Sequence, residues 1–586
     1  MQASSKTISF RHTAIICGVI IGILSVLTSI TKAQGNTDAG TEFLLCFMAN
    51  EAPGYDQTPN RYQDIYVFSA GGTATVTITC KAFPGFKKTI SLSANGSATY
   101  RVSSDPLIAF PGHDAIIESS EVIDPTVFKV VSTAPILCYG LSNKQYTGDG
   151  FLALPRSLPS TEYIVMSYGN STGIPGQEDP SEFAVAAFED STTVTITPSA
   201  QTRIGNPPGK PITFMIDSSG KGVQIQSDPS TAGLDLTGSI VKADKPIAVY
   251  GGHVRTEVPT GFTYGDNGNL RTTRNHLAEQ MPPLSTWGKF FVAKNTGRPD
   301  GDVIRIVASV DNTTIKINGT LWGKPLMKSR FRDTLIPFSP TEEKNAIAIE
   351  TSAPVMAGMI GHSSSDAAGL GDPFLAMISP LERSFNDLRY FITDDAVNFD
   401  TNQQFLLVVT EQSGKDKISV DGVKIPPAVF TNISTPLGGK QYAAALLRQS
   451  PGMHDITSEN PPDNGMTAIA YGFGQVNAYG YTAGGLIKPL KNSVTTKTFL
   501  QTDLENFPNP ALGKTTIRFN LSVRAYASVK IYDALGRVVR VVNQSVMSEG
   551  AHEFDMTTSG LAAGSYTIEL LAPEIGVSEH RSMIVM

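Results

Sequence analysis

The sequence has little charge, no block of basic residues and no convincing helical periodicity beyond its first 33 residues. Charged residues make up 17% of the chain and the formal net charge is −7, so the electrostatic footprint of a nucleic-acid or anionic-lipid binder is missing. A small basic cluster, Arg271 to His276, is predicted to be a solvated loop. Because 53 glycines and 37 prolines punctuate short apolar segments, the pattern predicts an all-β protein.

Cysteine is scarce and does not occur in metal-binding spacings. Cys17 lies in the first 33 residues, which leaves Cys46, Cys80 and Cys138. The absence of CxxC and of mixed Cys/His spacings excludes the usual zinc sites. Three thiols allow at most one disulfide within the chain, and the alternative is that all three are small buried side chains on strands. The pairing stays open.

The chain also lacks the familiar catalytic motifs. It contains no HExxH and no P-loop, and the stretch Gly361–Gly369 fails as a nucleophile elbow because Ser365 stands where that motif needs glycine. His253 and His362 end comparable strands, where we interpret them as polar loop residues rather than a catalytic pair. The sequence therefore predicts a protein that is not an enzyme.

Two oxygen-rich turns are candidate calcium sites. One places Asp300 and Asp302 around a glycine, and the other places Asp266 and Asn267 beside Asn269. Neither has the spacing of a calcium-binding loop with a distal glutamate. Since Asp-Gly and Asn-Gly are also preferred hairpin-turn residues, we predict turns and no cofactor, with calcium as the alternative.

The first 33 residues have the layout of a secretory signal peptide. Lys6 and Arg11 form a basic start, an apolar stretch runs over Ala14–Ile30, and cleavage is predicted between Ala33 and Gln34. The alternative is an uncleaved signal anchor, because the apolar run approaches spanning length. No later stretch is long and apolar enough to span a membrane, so the mature chain is predicted to have no transmembrane segment.

The chain between about residues 41 and 490 repeats itself at a spacing of about one hundred residues. An apolar phrase after proline recurs as APILCYGL, KPIAVYGGH, APVMAGMIGH and, more weakly, MTAIAYGFG. Two further phrases follow in the same order, the last reading as an apolar strand, a polar turn and a Thr/Val/Ile strand, which is typical of a hairpin. We predict tandem β-sandwich-like repeats at 34–158, 159–285, 286–383 and 384–490, with a β-propeller as the alternative.

Four aromatic residues in or near the repeated loop phrases are candidates for a binding surface. They are Tyr146, Phe151, Tyr264 and Trp287. If that loop face is exposed, such side chains suit protein or glycan recognition. The preferred interpretation is that they pack loops onto strands.

Two segments of the body carry a family resemblance. Gly40–Asn50 contains G-x-E-F, and Leu137–Gly169 contains a Tyr-Gly strand end followed by D-x-F-L-A-L-P. These segments are similar to the N-terminal domain of IgGFc-binding protein. The resemblance extends over about 41–490 and implies binding or matrix work, but it does not imply that this chain binds antibody.

The last residues, 503–586, read as a small separate β domain after a linker at 491–502. They open with Phe507-Pro508-Asn509-Pro510 and continue with V-x-I-Y-D-x-x-G-R-V-V and L-x-x-G-x-Y-x-I. The last two motifs supply Tyr532, Asp533, Gly536, Arg537, Gly564 and Tyr566.

This order closely resembles the type A C-terminal sorting domain of the type IX secretion system. The resemblance implies an Ig-like β-sandwich, the type IX machinery as partner and a Bacteroidota-type host. The alternative is an ordinary Ig-like module that ends an adhesin. Together the two export signals and the repeats predict a secreted or cell-surface adhesion or binding protein with an unknown protein or glycan ligand. A structural surface-layer or matrix component is the alternative, and a secreted hydrolase is a weaker one.

Overall fold

The structure is a computed structural model that forms two compact units, Met1–Leu490 and Lys491–Met586. It describes residues 38–586 apart from the segments 51–61, 106, 109–114, 145, 159, 171–178, 262–272, 299–300, 337–344, 365–370, 397, 460–464, 485–503, 522–524, 535–536, 549 and 573–576. The predicted leader with its Ala33–Gln34 cleavage site and the predicted linker 491–502 lie outside the described residues. In the described part, no helix is long and apolar enough to cross a membrane.

The described chain is all-β, as predicted, and its helices are single 3-10 turns. In the described part these turns are Val102–Ser104, Leu284–Thr286, Leu381–Arg383, Gln412–Gly414 and Pro427–Val429.

The first half of unit 1 contains strands β1 to β16. Their bounds are β1 Gly40–Leu45, β2 Tyr62–Ser69, β3 Ala74–Cys80, β4 Lys87–Leu92, β5 Ser97–Arg101, β6 Ile123–Asp124, β7 Phe128–Lys144, β8 Thr147–Ala153, β9 Glu162–Ile164, β10 Ser181–Ala187, β11 Thr192–Thr197, β12 Ile212–Ile216, β13 Gly222–Gln226, β14 Ile240–Ala243, β15 Ile247–Thr256 and β16 Asn275–Gln280.

The second half of unit 1 contains strands β17 to β32. Their bounds are β17 Gly288–Lys294, β18 Asp302–Ala308, β19 Ile315–Ile317, β20 Thr320–Leu321, β21 Phe331–Ile336, β22 Ala346–Gly361, β23 Leu375–Ile378, β24 Asp387–Ile392, β25 Gln404–Glu411, β26 Ile418–Val420, β27 Val423–Lys424, β28 Thr431–Asn432, β29 Tyr442–Arg448, β30 Gly452–Ser458, β31 Met466–Gly474 and β32 Asn477–Thr482.

One sheet topology occurs four times in this unit. An outer sheet has the order β1-β7-β3-β4, then β9-β14-β11-β12, β17-β22-β19-β20 and β24-β30-β26-β27. An inner sheet has the order β8-β7-β2-β5, then β16-β15-β10-β13, β23-β22-β18-β21 and β32-β31-β25-β29. Each repeat is therefore a two-sheet unit with its last strand on the inner sheet; the exact repeat boundaries stay a prediction.

The phrase after proline marks where the chain changes sheet. In repeats 1 and 3 one long strand, β7 or β22, runs through both sheets, with Pro135 or Pro354 near the change of partner. Repeats 2 and 4 break the same path into β14 and β15 or β30 and β31. Proline suits this point because it has no N–H to donate to a ladder.

The hairpin interpretation of the third phrase is wrong. β10 pairs with β13 and β15, whereas β11 pairs with β12 and β14. The two strands therefore lie in opposite sheets, and the polar turn between them crosses the sandwich. This arrangement lets both strands turn their apolar faces toward one core, such as Val185 and Val194, which are fully buried.

The three cysteines of the body are free and buried. Cys46 and Cys138 are surrounded by apolar side chains of the core shared by repeats 1 and 2, and Cys80 ends β3 at its rim. Burial raises the pKa of all three thiols, that of Cys80 to about 12. Among the two interpretations left open, the structure has buried thiols and no disulfide in its described part.

The described part of unit 2 is a seven-stranded β structure. Its strands are β33 Glu505–Leu512, β34 Lys514–Leu521, β35 Ala525–Tyr532, β36 Val538–Met547, β37 Gly550–Thr557, β38 Gly564–Ala572 and β39 Val577–Val585. Their order is β36-β35-β38-β39-β33-β34-β37, with β33 and β39 parallel at Ala511 and Val585. Alternating residues such as Ile517, Val529 and Ile568 form its buried core.

Candidate functional site

The last strands of the four repeats, β8, β16, β23 and β32, meet at the centre of unit 1, which we call the hub. Each begins beside a short polar side chain at the same place in the repeat: Asp149, Asn275, Asp372 and Asn477. All four are buried. None of the four was a candidate site residue, although Asp149 opens the D-x-F-L-A-L-P motif and the four occupy matching positions in GDGF, RNHL, GDPF and VNAY.

Asp149 connects the last strands of all four repeats. Its Oδ2 accepts hydrogen bonds from the backbone N–H groups of Ala278, 3.1 Å away, and Leu375, 3.0 Å away. Its Oδ1 accepts from Gly480 at 3.1 Å and from Gly150 at 2.9 Å. One carboxyl group thus holds β8, β16, β23 and β32 together.

Asn275 makes the same kind of connection from repeat 2. Its amide Nδ2 donates to the carbonyl oxygens of Gly148 at 2.6 Å, Pro373 at 2.7 Å and Ala478 at 3.0 Å, and its Oδ1 accepts from Gly148 N–H at 2.6 Å. Burial raises the pKa of the Asp149 carboxyl well above its usual value, and the four N–H donors oppose that rise.

We call the segments just before the last strands the hub loops, and the hub together with these loops the hub end. Hydrogen bonds at or beside the described ends of these loops link neighbouring repeats. The hub loops are 145–146, 257–274, 362–374 and 475–476. Thr147 Oγ1 accepts from His276 N–H at 2.8 Å between repeats 1 and 2, and Ser363 N–H donates to Val258 O at 2.8 Å between repeats 2 and 3. Gly371 N–H donates to Gly474 O at 2.9 Å between repeats 3 and 4.

The seam between repeats 4 and 1 completes the ring. Asn477 Nδ2 donates to Asn143 Oδ1 at 3.2 Å, and Asn143 Nδ2 donates to Asp395 Oδ2 at 3.1 Å. The repeats are therefore sandwich units that close on one another, which combines the predicted sandwich with the closure expected of the propeller alternative.

Buried arginines make further polar contacts at the hub end. Arg274 Nη1 lies 2.9 Å from Asp179 Oδ2 with both side chains buried, and Arg298 Nη1 donates to His362 O at 2.5 Å and Asp372 O at 3.2 Å. The prediction of a solvated loop is wrong for the described end of the Arg271–His276 cluster. Arg274 is 6% exposed and His276 is fully buried, because β16 starts at Asn275 and enters the hub.

The strand-end histidines are interior residues. His253 is fully buried, His362 is 4% exposed, and His276 Nδ1 lies 2.8 Å from His253 O. Burial lowers the pKa of His253 to about 3 and that of His276 to about 4, so both rings are neutral at physiological pH. A substrate in solvent does not reach the buried rings of His253 and His276.

The four candidate aromatic residues differ in their exposure to solvent. Tyr146 sits in the hub loop of repeat 1, is 52% exposed and has a left-handed backbone with φ of 67°. Tyr264 lies outside the described residues but belongs by sequence to the hub loop of repeat 2. Phe151 is buried and packs in the core against Phe47 and Tyr250.

Trp287 is also buried. It is 3% exposed, and its indole Nε1 donates to Pro282 O at 3.1 Å. The indole is held in the core beside the 3-10 turn that leads from repeat 2 into β17, so it contributes no binding surface. Tyr146 is thus the described candidate with an exposed ring.

The candidate calcium turns give no cation site in the described part. Asp302 is fully buried and accepts from Thr296 N–H at 2.7 Å and from Thr296 Oγ1 at 3.1 Å, and burial raises its pKa to about 7. Asp300, Asp266, Asn267 and Asn269 lie outside the described residues. Over the described ranges, no three His, Cys, Asp or Glu side chains are grouped so that they could hold a metal ion.

In unit 2 the sequence motifs fix turns and strand ends. Asn509 pairs with β39 as a backbone would: its Nδ2 donates to Ser582 O and its Oδ1 accepts from Ile584 N–H, both at 2.9 Å. Phe507 is 72% exposed, and Pro508 O accepts from Thr515 Oγ1 at 2.9 Å. The opening motif thus joins the first and last strands.

The remaining motif residues stabilise turns of unit 2. Asp533 Oδ2 pairs with Arg537 across the turn between β35 and β36, in which Gly536 lies outside the described residues. Tyr532 donates to Glu569 at 2.7 Å, and Tyr566 donates back to Ala562 O at 2.8 Å, as in the tyrosine corner of Ig-like sandwiches. Gly564 begins the strand that carries Tyr566.

Comparison with protein families gives two matches. A family model described as IgGFc binding protein matches residues 149–472, and one described as a secretion system C-terminal sorting domain matches residues 505–584. Among curated proteins, the IgGFc-binding protein of Homo sapiens is 27% identical over 192 residues, which are 31% of this chain and 3% of that protein. The chain spans a very small part of this relative.

Solved structures give only distant likenesses. The type IX secretion surface component PorZ of Porphyromonas gingivalis is 17% identical with a TM-score of 0.12, over 20% of this chain and 15% of its own. A tetra-tandem repeat from the extending region of a large adhesion protein is 10% identical with a TM-score of 0.13, over 72% and 100%. At these scores neither likeness supports an inference.

The match over residues 505–584 confirms the prediction made from the FPNP and tyrosine motifs. Unit 2 is a type IX sorting domain, and it directs the chain to the outer cell surface. The type IX machinery is accordingly a partner of this unit.

Proposed function

The chain belongs to the IgGFc binding protein family, whose model covers more than half of its residues, and on that premise we propose that it is a binding protein of the outer cell surface. Its body recognises an extracellular protein or glycan and performs no chemistry. The sorting domain delivers the body to the place where such a ligand is met.

The arrangement of the hub end is the observation that carries this proposal. Buried hydrogen bonds join the last strands of all four repeats, and a hub loop precedes each of these strands. Two of these loops, 145–146 and 475–476, are short, and two, 257–274 and 362–374, are long. Variable loops on a rigid β scaffold are the usual layout of a recognition surface.

The absence of catalysis is supported by where the reactive side chains lie. His253, His276 and the thiols of the described body are buried. The carboxyl of Asp149 is occupied by four backbone donors. In the described part of the hub end these groups serve the fold, and none of them is presented to a substrate.

The proposed ligand class includes both extracellular proteins and glycans. The human relative is named for binding the Fc part of IgG, but it shares only 192 aligned residues with this chain. Antibody Fc is therefore one ligand to test alongside mucin-type glycoproteins and other extracellular glycans. Exposed tyrosine is a common anchor in such interfaces, so Tyr146 is the first residue to examine.

The test uses the full chain secreted by a type IX host. Binding to immobilised IgG Fc, mucin and a glycan panel is measured for the wild type, for Tyr146→Asn and for Met215→Asn. Asparagine suits the left-handed backbone of Tyr146, and Met215, 56% exposed on the edge strand β12, is the matched control. We expect binding about tenfold weaker for Tyr146→Asn and unchanged for Met215→Asn.

Two results would contradict the proposal. Release of products from peptide or glycoside substrates by the purified chain would indicate a secreted hydrolase. Self-association without any foreign ligand, seen by sedimentation, would indicate a surface-layer or matrix component. Equal loss of binding in both variants would move the ligand site away from the hub end.

A further inference from the structure

Strand β36 of the sorting domain is an edge strand with an unusual surface. It runs over ten residues, Val538–Met547, and pairs with β35 on one side. Four of its valines are exposed, namely Val538, Val539, Val541 and Val546, with exposures between 37% and 52%. A long apolar edge is normally avoided, because its free backbone groups invite pairing with another chain.

Several other terminal strands in the described part are short or charged, whereas β12 has five residues and no charge. β6, β20, β27 and β28 have two residues each, and β9 has three. β4 carries Lys87 and Lys88, and β24 carries Asp387 and Arg389. At the opposite end of the sorting sheet, β37 carries Glu553 and Asp555. Short length and charge protect an edge against pairing, whereas β36 has ten residues and one cation, Arg540, although its pairing with β35 is irregular at two places.

The charge on β36 narrows the choice of partner. Between Val538 and Met547 the strand has one cation, Arg540, and no acid. The Arg540 guanidinium donates to the carbonyls of Thr557 and Ser559, which hold the side chain at the end of β37. No acidic residue of β36 itself balances its charge. A complementary strand would be apolar on alternate residues with a carboxylate opposite Arg540.

We propose that β36 is the docking edge of the sorting domain, and that an extended apolar strand of the type IX machinery adds to it. The partner follows from the domain itself, since the machinery is the partner that this family match assigns to unit 2. Ten residues of strand span about 33 Å, enough for backbone pairing to give affinity while alternate side chains give specificity. The proposal does not depend on what the body binds.

The test compares export of full-length variants in a type IX host. Val539→Lys/Val541→Lys places two charges at exposed positions of β36, and Leu512→Lys, 72% exposed on β33, is the matched control. We expect the surface and medium fraction to fall at least tenfold for the β36 variant, with periplasmic accumulation, and to stay at the wild-type level for Leu512→Lys. A chain lacking residues 503–586 calibrates complete retention.

Folding of the variants is checked on the purified full-length chain, from the thermal transition of its sorting domain. If the lysine variant is degraded, Val539→Thr/Val541→Thr keeps β-propensity without charge and should still lower export. Normal export of a folded β36 variant overturns the proposal, as does an equal block by Leu512→Lys. A wild-type dimer that the β36 variant abolishes without loss of export would also overturn it, because the edge would then serve self-association.

Discussion

The body and the sorting domain treat their polar groups and their edges in opposite ways. The body places Asp149 and Asn275 at its centre, where each bonds residues from every other repeat, and several of its sheets end in short or charged strands. The sorting domain makes its motif contacts near the surface, as with Asn509 and Asp533, and leaves β36 apolar and open. The first unit is closed on itself, and the second presents an edge to a partner.

This difference predicts which substitutions should lower the stability of the body and which should affect only the sorting domain. A buried polar group that loses its partner carries the full cost of its desolvation, whereas an exposed one regains water. Substitutions at the hub should therefore act on stability of the whole body. Substitutions in the sorting domain should act mainly on its own transition or on export.

Asp149→Ala should have the largest effect. It leaves four backbone N–H groups of four strands without an acceptor, and at about 1–3 kcal/mol each the loss is about 5 kcal/mol or more. We expect the calorimetric transition of the body to vanish while that of the sorting domain is kept. Asp149→Asn, which keeps one carbonyl oxygen, should lie between; an unchanged body transition in Asp149→Ala would contradict the hub.

Arg305→Met should come next. Arg305 Nη1 donates to Ser167 O and Asp235 of repeat 2, each at 2.7 Å, its Nη2 donates to Asp333 at 2.8 Å, and its guanidinium lies over Phe331. Removing it leaves two carboxylates without their cation, for a loss of about 3 kcal/mol in chemical unfolding.

The control for that substitution is Arg518→Met in the sorting domain, where Arg518 pairs with Glu553 and both are at least half exposed. This change should cost less than about 1 kcal/mol. Similar losses for the two arginines would show that the two units do not differ in how they use charge.

Asp372→Asn should show an effect that depends on pH. Burial raises the Asp372 pKa to about 7, and a hydrogen bond from Thr273 and the cations of Arg255, Arg298 and Arg274 oppose the rise. The folded state then binds the proton more tightly than the unfolded chain, so wild-type stability falls as pH rises from about 4 to about 7.

Asparagine, which repeats 2 and 4 have at this place, removes that loss. We expect the variant to be more stable than wild type by about 2 kcal/mol at pH 8 and indistinguishable at pH 4, in chemical unfolding followed over pH. The same pH dependence in both proteins would rule out a protonated Asp372 in the fold.

Asn509→Ala should have the smallest effect. It removes two hydrogen bonds that join β33 to β39 near the surface, for a loss of about 1 kcal/mol in the sorting-domain transition. Leu512→Ala, an exposed neighbour on β33, should change nothing measurable. A shift of the body transition by Asn509→Ala would contradict the separation of the two units.

Much of the fold could be predicted because short stretches of sequence indicate it. Apolar strands between turn residues indicated an all-β chain, and three phrases in constant order indicated repeats. The tight motifs of the sorting domain were readable because Asn509, Asp533 and Tyr566 act on residues close by or on one neighbouring strand.

The hub could not be predicted for the opposite reason. Asp149 bonds residues 129 to 331 positions away, and no local periodicity encodes such contacts. The strand-turn-strand phrase was misread because a turn that crosses a sandwich has the same residues as a hairpin turn. Phe151 and Trp287 lie in or near the repeated loop phrases, and it is tertiary packing that decides that both are buried.

The reach of Asp149 also has a consequence for how the body comes into being. Its carboxyl meets Gly480 across 331 residues, so the last of its four partners does not exist until nearly the whole body has been synthesised. Ordering such a long loop before any contact rewards it is slow. We expect the four sandwiches to fold early and the hydrogen bonds of the hub to form last. The slowest folding phase of the body should then report the joining of the four last strands at the hub.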